Sequence, residues 1–174
     1  MLNNKYHFIS ILILLLSSCH KMKAQNTYDD IRKKYKIYEQ NDERALPVVR
    51  IFISKAKKEN NYEKLIKGYE DAFYYSNDAT LKLKYADSCI NASLKTNDYD
   101  VISRSYLGKG TIYYFNLKRY KPALDEYVKA YEYSKKGTDE YQKYKVIYHM
   151  GVVKSYLGYY IEAVSYTHLT LPTI

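Results

Sequence analysis

Apolar residues along this chain recur at helical spacing, in stretches separated by short polar breaks. Ile31, Tyr35 and Tyr38 fall at i, i+4 and i+7 and predict a helix over 28–40. Ala45, Val49, Phe52, Ile53 and Ala56 predict a second over 42–59, with Pro47 in its first turns, where a missing N–H costs little. Leu65, Ile66, Tyr69, Ala72 and Phe73 predict a third over 62–76, and Leu83, Ala86, Ile90 and Leu94 a fourth over 79–96. A fifth, 99–116, carries Ile102, Tyr106, Leu107, Gly110, Tyr113 and Tyr114. A sixth, 120–136, has Pro122 in its first turn, followed by Ala123, Leu124, Tyr127, Ala130 and Tyr131. A seventh covers 138–157, and an eighth begins at Tyr160. The breaks Asn41-Asp42, Asn60-Asn61, Asn77-Asp78 and Asn97-Asp98 share a chemistry: Asn and Asp side chains satisfy the amides that a helix end exposes. Gly137 is placed to close the sixth helix in a left-handed conformation.

Small residues recur on a longer scale. Ala45, Ala86, Ala123 and Ala163 each sit early in the second helix of a pair, at near-constant intervals along the chain. Self-similarity at that period predicts an all-α solenoid of about four stacked helical hairpins, a class that binds partners along its surface.

The last two hairpins carry a denser pattern. Tyr106-Leu107, Gly110, Tyr114, Tyr120, Ala123, Tyr127 and Ala130 resemble a tetratricopeptide repeat, and Ile147, Gly151, Gly158, Tyr160 and Ala163 resemble the first part of another. The resemblance implies a right-handed superhelix in which these residues form the packing positions. It covers 104–163 well; the first two hairpins match only at Ala45 and Ala86. The interval between alanines exceeds the family's usual repeat length, which calls for longer helices or loops. A glycine inside a helix costs about 1 kcal/mol against alanine, so Gly110 and Gly151 point to close helix contact.

Residues 1–24 read as an export signal. Lys5 and His7 precede a short apolar run, 8–16, interrupted only by Ser10. A bilayer needs roughly 20 apolar residues, so the run fits a signal's apolar core and not a membrane span. Two cleavage chemistries fit. Leu16-Ser17-Ser18-Cys19 resembles a lipobox, in which Cys19 is acylated; cleavage near Ala24 or Gln25 gives an unmodified start at Asn26. At the other end, the string Val164-Ser-Tyr-Thr-His-Leu-Thr-Leu-Pro-Thr173 looks like one reading frame of a transposase sequencing adapter. Residues 164–174 are therefore expected to be non-native, with Thr167, Thr170, Leu171, Pro172 and Thr173 favouring irregular backbone. The repeat domain is then 26–163, with native sequence expected beyond it.

An exported leader ahead of a Tyr- and Lys-rich array also resembles the N-terminal half of membrane-bound regulators from Bacteroidetes. In that group periplasmic tetratricopeptide repeats precede one membrane helix and a cytoplasmic AraC-type helix-turn-helix domain. The resemblance implies an exported, membrane-associated sensor that reaches DNA only through a domain outside this sequence.

Charge narrows the partners. The formal net charge is +9, but the lysines are scattered and come as pairs near helix ends, where they complement the helix dipole. No run of five like charges and no RNA-binding signature is present, so a solvated surface fits better than a nucleic-acid interface. The 24 tyrosines and the absence of Trp agree with AT-rich coding. Of two cysteines, Cys19 lies in the leader and Cys89 on an apolar helix face, with no CxxC and no metal spacing.

Catalytic groups do not converge. His149 lies beside Met150 and Gly151 with no nucleophile pattern near it, and Asp125-Glu126 reads as a solvated pair. Gly108-Lys109-Gly110-Thr111 lacks the strand and first glycine of a phosphate-binding loop. The expectation is a non-enzymatic module without cofactor or metal. Its partner is a protein or peptide, and the alternative is a stand-alone scaffold or surface lipoprotein. In tetratricopeptide arrays the first helix of each pair lines the groove. That register assigns Ile112, Phe115 and Asn116 of one repeat, and Lys145, Tyr148, Val152 and Tyr156 of the next, to a peptide-binding face.

Overall fold

The computed structural model describes residues 27–170, and all regular structure among them is helical. The helices are α1 (Tyr28–Tyr35), α2 (Leu46–Lys58), α3 (Tyr62–Tyr75), α4 (Ala79–Ser93), α5 (Tyr99–Thr111), α6 (Tyr120–Ser134), α7 (Glu140–Tyr156) and α8 (Tyr160–Thr170). A short 3-10 turn, Glu43–Ala45, leads into α2, and a π-helical turn, Ile112–Asn116, extends α5. Each helix packs against the ones before and after it in the chain, and α5 also meets α7. The outcome is an all-α, solenoid-like array of four consecutive hairpins: α1–α2, α3–α4, α5–α6 and α7–α8.

Local chemistry sets the helix ends. Thr27 and Asp30 form a reciprocal capping box at the start of α1. Asn41, Asn60 and Asn97 take left-handed φ of 65°, 51° and 56°. The next residue in each case caps the following helix: Asp42 accepts from the Arg44 amide, Asn61 from Lys64, and Asp98 from Asp100 and Val101. The pairs therefore act as a relay, the first residue turning the chain out of one helix and the second starting the next. Asn77-Asp78 does half of this: Asp78 caps Leu81 at 2.6 Å, while Asn77 keeps a negative φ. Gly137 does not follow the expectation either, because its φ is not left-handed; Gly158, at φ 83°, is the glycine that ends a helix in that way.

Two cores run through the array. The first joins Ile31, Tyr35, Val49, Phe52, Ile66, Ala72 and Tyr75 with Cys89 and Ala92. Tyr35 is fully buried, edge-on to Phe52 and Tyr75, and its hydroxyl donates to Asp71 at 2.7 Å. The second core joins Leu107, Ala123, Leu124, Tyr127 and Ala130 with Val146, Met150 and Val153. Burying each large side chain contributes about 1.5–3 kcal/mol. Cys89 and Ser105, 3.5 Å apart, lie where α4 meets α5.

The C-terminal segment departs from expectation. Helix α8 continues unbroken to Thr170, through the stretch expected to be irregular. Ala163 is buried and Tyr166 packs on the second core. Threonine costs a helix well under about 1 kcal/mol per residue, so two packing anchors outweigh it, and Pro172, the strong breaker, lies outside the described residues. Residues 1–26, with the expected signal segment and Cys19, also lie outside them.

Candidate functional site

The four repeating alanines, Ala45, Ala86, Ala123 and Ala163, are all buried, as are Ala130, Gly110 and Gly151. Gly110 has a specific reason: a Cβ there would come within 2.5 Å of Tyr127 Cδ1, and Tyr127 is fully buried. Gly68, overlooked in the sequence pattern, plays a similar part between α2 and α3, where a Cβ would meet Ile53 Cγ1 at 2.7 Å. It stands one repeat length before Gly110, so the signal was present. The two glycines admit different neighbours, however, since Gly68 receives the preceding helix and Gly110 the following one.

Two members of the packing set need correction. Tyr160 is 68% exposed, because its turn of α8 buries Ala163 instead. Gly158 is exposed with open space around it, so its glycine serves backbone conformation and not close packing. Tyr114 and Tyr120 are half-buried in an aromatic cluster with Tyr156, whose ring stacks on Tyr120 at 4.8 Å and meets Tyr114 edge-on at 5.7 Å. Burial and the adjacent Tyr156 hydroxyl push Tyr114 up to about 12.

The residues assigned to the peptide-binding face separate. Ile112 is buried, 3% exposed, and forms the floor beneath the π turn, not an open wall. Ile112 opens the π turn on its buried side, while Phe115 and Asn116 of the same turn stay exposed. These three line one depression of about 170 Å³ with Phe73, Lys82 and Gln40. Lys145 borders another, of about 190 Å³, together with Cys89, Arg104 and Gly108. Tyr148 is exposed and lies edge-on to His149; Val152 is half-buried.

A larger concavity lies nearer the N-terminus, on the first helices of three successive hairpins. Arg32 of α1, Lys64, Lys67 and Glu70 of α3, and Val101 and Arg104 of α5 line a furrow of about 520 Å³. A charge lattice braces it. Asp71, almost fully buried, accepts from Tyr35 and pairs with Arg32 at 3.4 Å and Lys67 at 2.9 Å. Glu70 pairs with Arg104 at 3.5 Å and Lys67 at 3.6 Å. Burial disfavours the Arg32 charge, yet Asp71 and Tyr35 outweigh it and raise its pKa. Sequence periodicity marks Arg32 and Arg104 as solvent-facing; their convergence needs the stacking of α1, α3 and α5.

Reactive groups are held quiet. Burial pushes the Cys89 thiol up to about 12, which leaves little thiolate for nucleophilic work. Burial and nearby Lys145 lower the His149 pKa, so its ring is neutral at pH 7. Lys109, in the Gly108–Thr111 stretch, sits on helix α5 and bridges Asp87 at 2.9 Å and Glu126 at 3.3 Å. Among the described residues, no group of three or more His, Cys, Asp or Glu is placed to hold a metal ion, and no helix is long and apolar enough to cross a membrane. No protein-family model matches this chain, and the search of curated proteins found no match.

Proposed function

We propose that this array is a protein- or peptide-binding module of tetratricopeptide type, without catalytic activity. The observation that carries the reading is the furrow across α1, α3 and α5, where Arg32, Lys64, Lys67 and Arg104 alternate with Glu63, Glu70 and Asp98. Its volume, about 520 Å³, is in the range that holds a ligand of several residues' side chains. Alternating fixed charges beside apolar Ile66 and Val101 suit an extended peptide, gripped by polar contacts and selected by charge. Panning a peptide library on the full chain tests this. Selected peptides should lose binding to a Lys67→Glu, Arg104→Glu variant with an unchanged helical spectrum; peptides that bind both proteins equally would place the groove elsewhere.

The wider role follows the resemblance of the leader and the array. We propose that the module is exported and acts as the sensory half of a membrane-bound AraC-type regulator, with a helix-turn-helix output encoded downstream. The alternative is a scaffold or surface lipoprotein anchored through Cys19. The intact gene separates them. A membrane helix and helix-turn-helix after the codon for Ala163 support the regulator, and a stop codon after one or two further repeats supports the scaffold.

A further inference from the structure

Lys82 belongs to the first turn of α4 and is 3% exposed. Its ammonium donates to Asn41 Oδ1 at 2.6 Å. That partner is a neutral amide, and among the described residues no carboxylate pairs with it. Of the carboxylates in the adjoining turns, Asp42 is committed to Arg44, Glu43 to the Asn77 amide, and Asp78 to the Leu81 amide. Burial alone acts on the Lys82 charge, and it lowers the pKa. An ammonium has three donors, and Asn41 takes one. A buried charge without a counter-charge is costly, and an anion arriving beside it offsets that cost.

The surroundings are built for more than an ion. Lys82 lines the depression of about 170 Å³ at the turn edge of the array, between the ends of α3 and α5. Phe73, Ile112 and Phe115 supply apolar walls, and Asn116 and Gln40 place carboxamides at the rim. The π turn that brings Ile112, Phe115 and Asn116 there is an independent signal. The stretch from Gly110 to Ala123 is one residue longer than the matching stretch from Gly151 to Ala163, and this turn absorbs the extra residue. Single π turns inside helices occur frequently at functional sites. A complete small-molecule pocket has a volume of at least about 300 Å³, so this smaller depression suits one group of a larger ligand.

We propose that this depression is a carboxylate-binding subsite. Lys82 pairs with the anion, the Asn116 and Gln40 amides donate to its second oxygen, and the phenylalanines contact the apolar group beside it. The site deepens the peptide-binding reading, and rests on it only for the origin of the carboxylate.

The test is a titration of the isotope-labelled full chain at constant ionic strength, following the side-chain and backbone amide signals of Asn41 and Asn116. The probes are acetyl-Leu-Phe with a free carboxylate, the same dipeptide as its amide, and acetyl-Glu-amide. The free carboxylate should give saturable shifts at an affinity at least about tenfold above the amide, a gap that Lys82→Met abolishes. Binding of the first probe alone assigns a chain terminus; binding of acetyl-Glu-amide as well assigns any exposed carboxylate. Equal binding of acid and amide, undiminished binding to Lys82→Met, or no saturation by about 50 mM overturns the proposal. If Lys82→Met fails to fold, the exposed change Asn116→Leu serves instead: it should weaken the acid several-fold, and no change overturns the site. A furrow peptide that still binds Lys82→Met would leave the peptide-binding reading standing while this subsite falls.

Discussion

Gly110 faces Tyr127 so closely that no side chain fits between them. A Cβ on Gly110 would lie within 2.5 Å of Tyr127 Cδ1, and the Tyr127 ring has no exposed edge toward which to move. Alanine ordinarily stabilises a helix interior by about 1 kcal/mol over glycine. Here overpacking costs about 1–3 kcal/mol and outweighs that gain. Gly110→Ala should therefore lower the denaturant midpoint of the full chain, whereas Gly108→Ala, whose Cβ would meet Phe73 at an ordinary 3.5 Å, should leave it unchanged or raise it. Equal responses would mean that α5 and α6 are not packed in this register.

Asp100 joins hairpins three and four. Asp100, in the first turn of α5, accepts from the Thr138 amide at 2.9 Å and the Asp139 amide at 3.2 Å, and so caps the approach to α7 from another hairpin. Burial raises the Asp100 pKa, but these hydrogen bonds outweigh it and the net shift is downward. Gly137 is glycine because a Cβ there would sit 2.6 Å from the Asp100 carboxyl carbon. Asp100→Ala should cost about 1 kcal/mol, as for other lost caps. Gly137→Ala should cost a similar amount in the native background and much less once Asp100 is alanine. Additive effects in this double-mutant cycle would refute the contact.

Much of this architecture was legible in the sequence. Three Asn pairs announce their helix ends because a left-handed residue followed by a cap is local chemistry, which needs no tertiary contact to operate. Buried alanines at repeat spacing reflect close helix approach, again a property of residue size. Gly137 misled because two demands select glycine, positive φ and lack of space, and only the folded chain shows that the second operates. Lys82 was invisible for a related reason. A lysine reads as surface in any periodic pattern, and its burial is decided by Asn41 and the π turn, both in other hairpins' connections far along the chain. The π turn left one trace, the longer spacing from Gly110 to Ala123. The furrow of α1, α3 and α5 left none, since its charges converge only when three hairpins stack.

Tyr148 and Tyr156, about two turns apart on α7, should behave differently. The Tyr156 ring is stacked on Tyr120 and edge-on to Tyr114, so Tyr156→Ala should cost about 0.5–1.5 kcal/mol in thermal unfolding. Tyr148 is half exposed and, among the described aromatic rings, touches the edge of His149 alone, so Tyr148→Ala should stay within about 0.5 kcal/mol of the parent. A Tyr148→Ala loss as large as that of Tyr156→Ala would make both of them core residues and remove Tyr148 from any binding face.

His149 sets an acid limit on the second core. Its ring lies 5.4 Å from that of Tyr127, and burial, followed by repulsion from Lys145, lowers its pKa below the ordinary 6.5. The unfolded chain therefore binds a proton at this position near pH 6.5, while the folded chain resists until lower pH. Between those two points the unfolded state holds more protons, so stability rises with pH. The contribution is complete above pH 6.5 and is lost as pH falls through the folded-state value. The melting temperature of the full chain should thus decline from about pH 7.5 to about pH 5.5. His149→Phe keeps a ring beside Tyr127 and removes the titration, so its decline over the same interval should be smaller. Carboxylates with lowered pKa, Asp100 among them, act at lower pH and affect both proteins alike. Parallel curves for the two proteins would show that the His149 ring is protonated as readily in the fold as outside it.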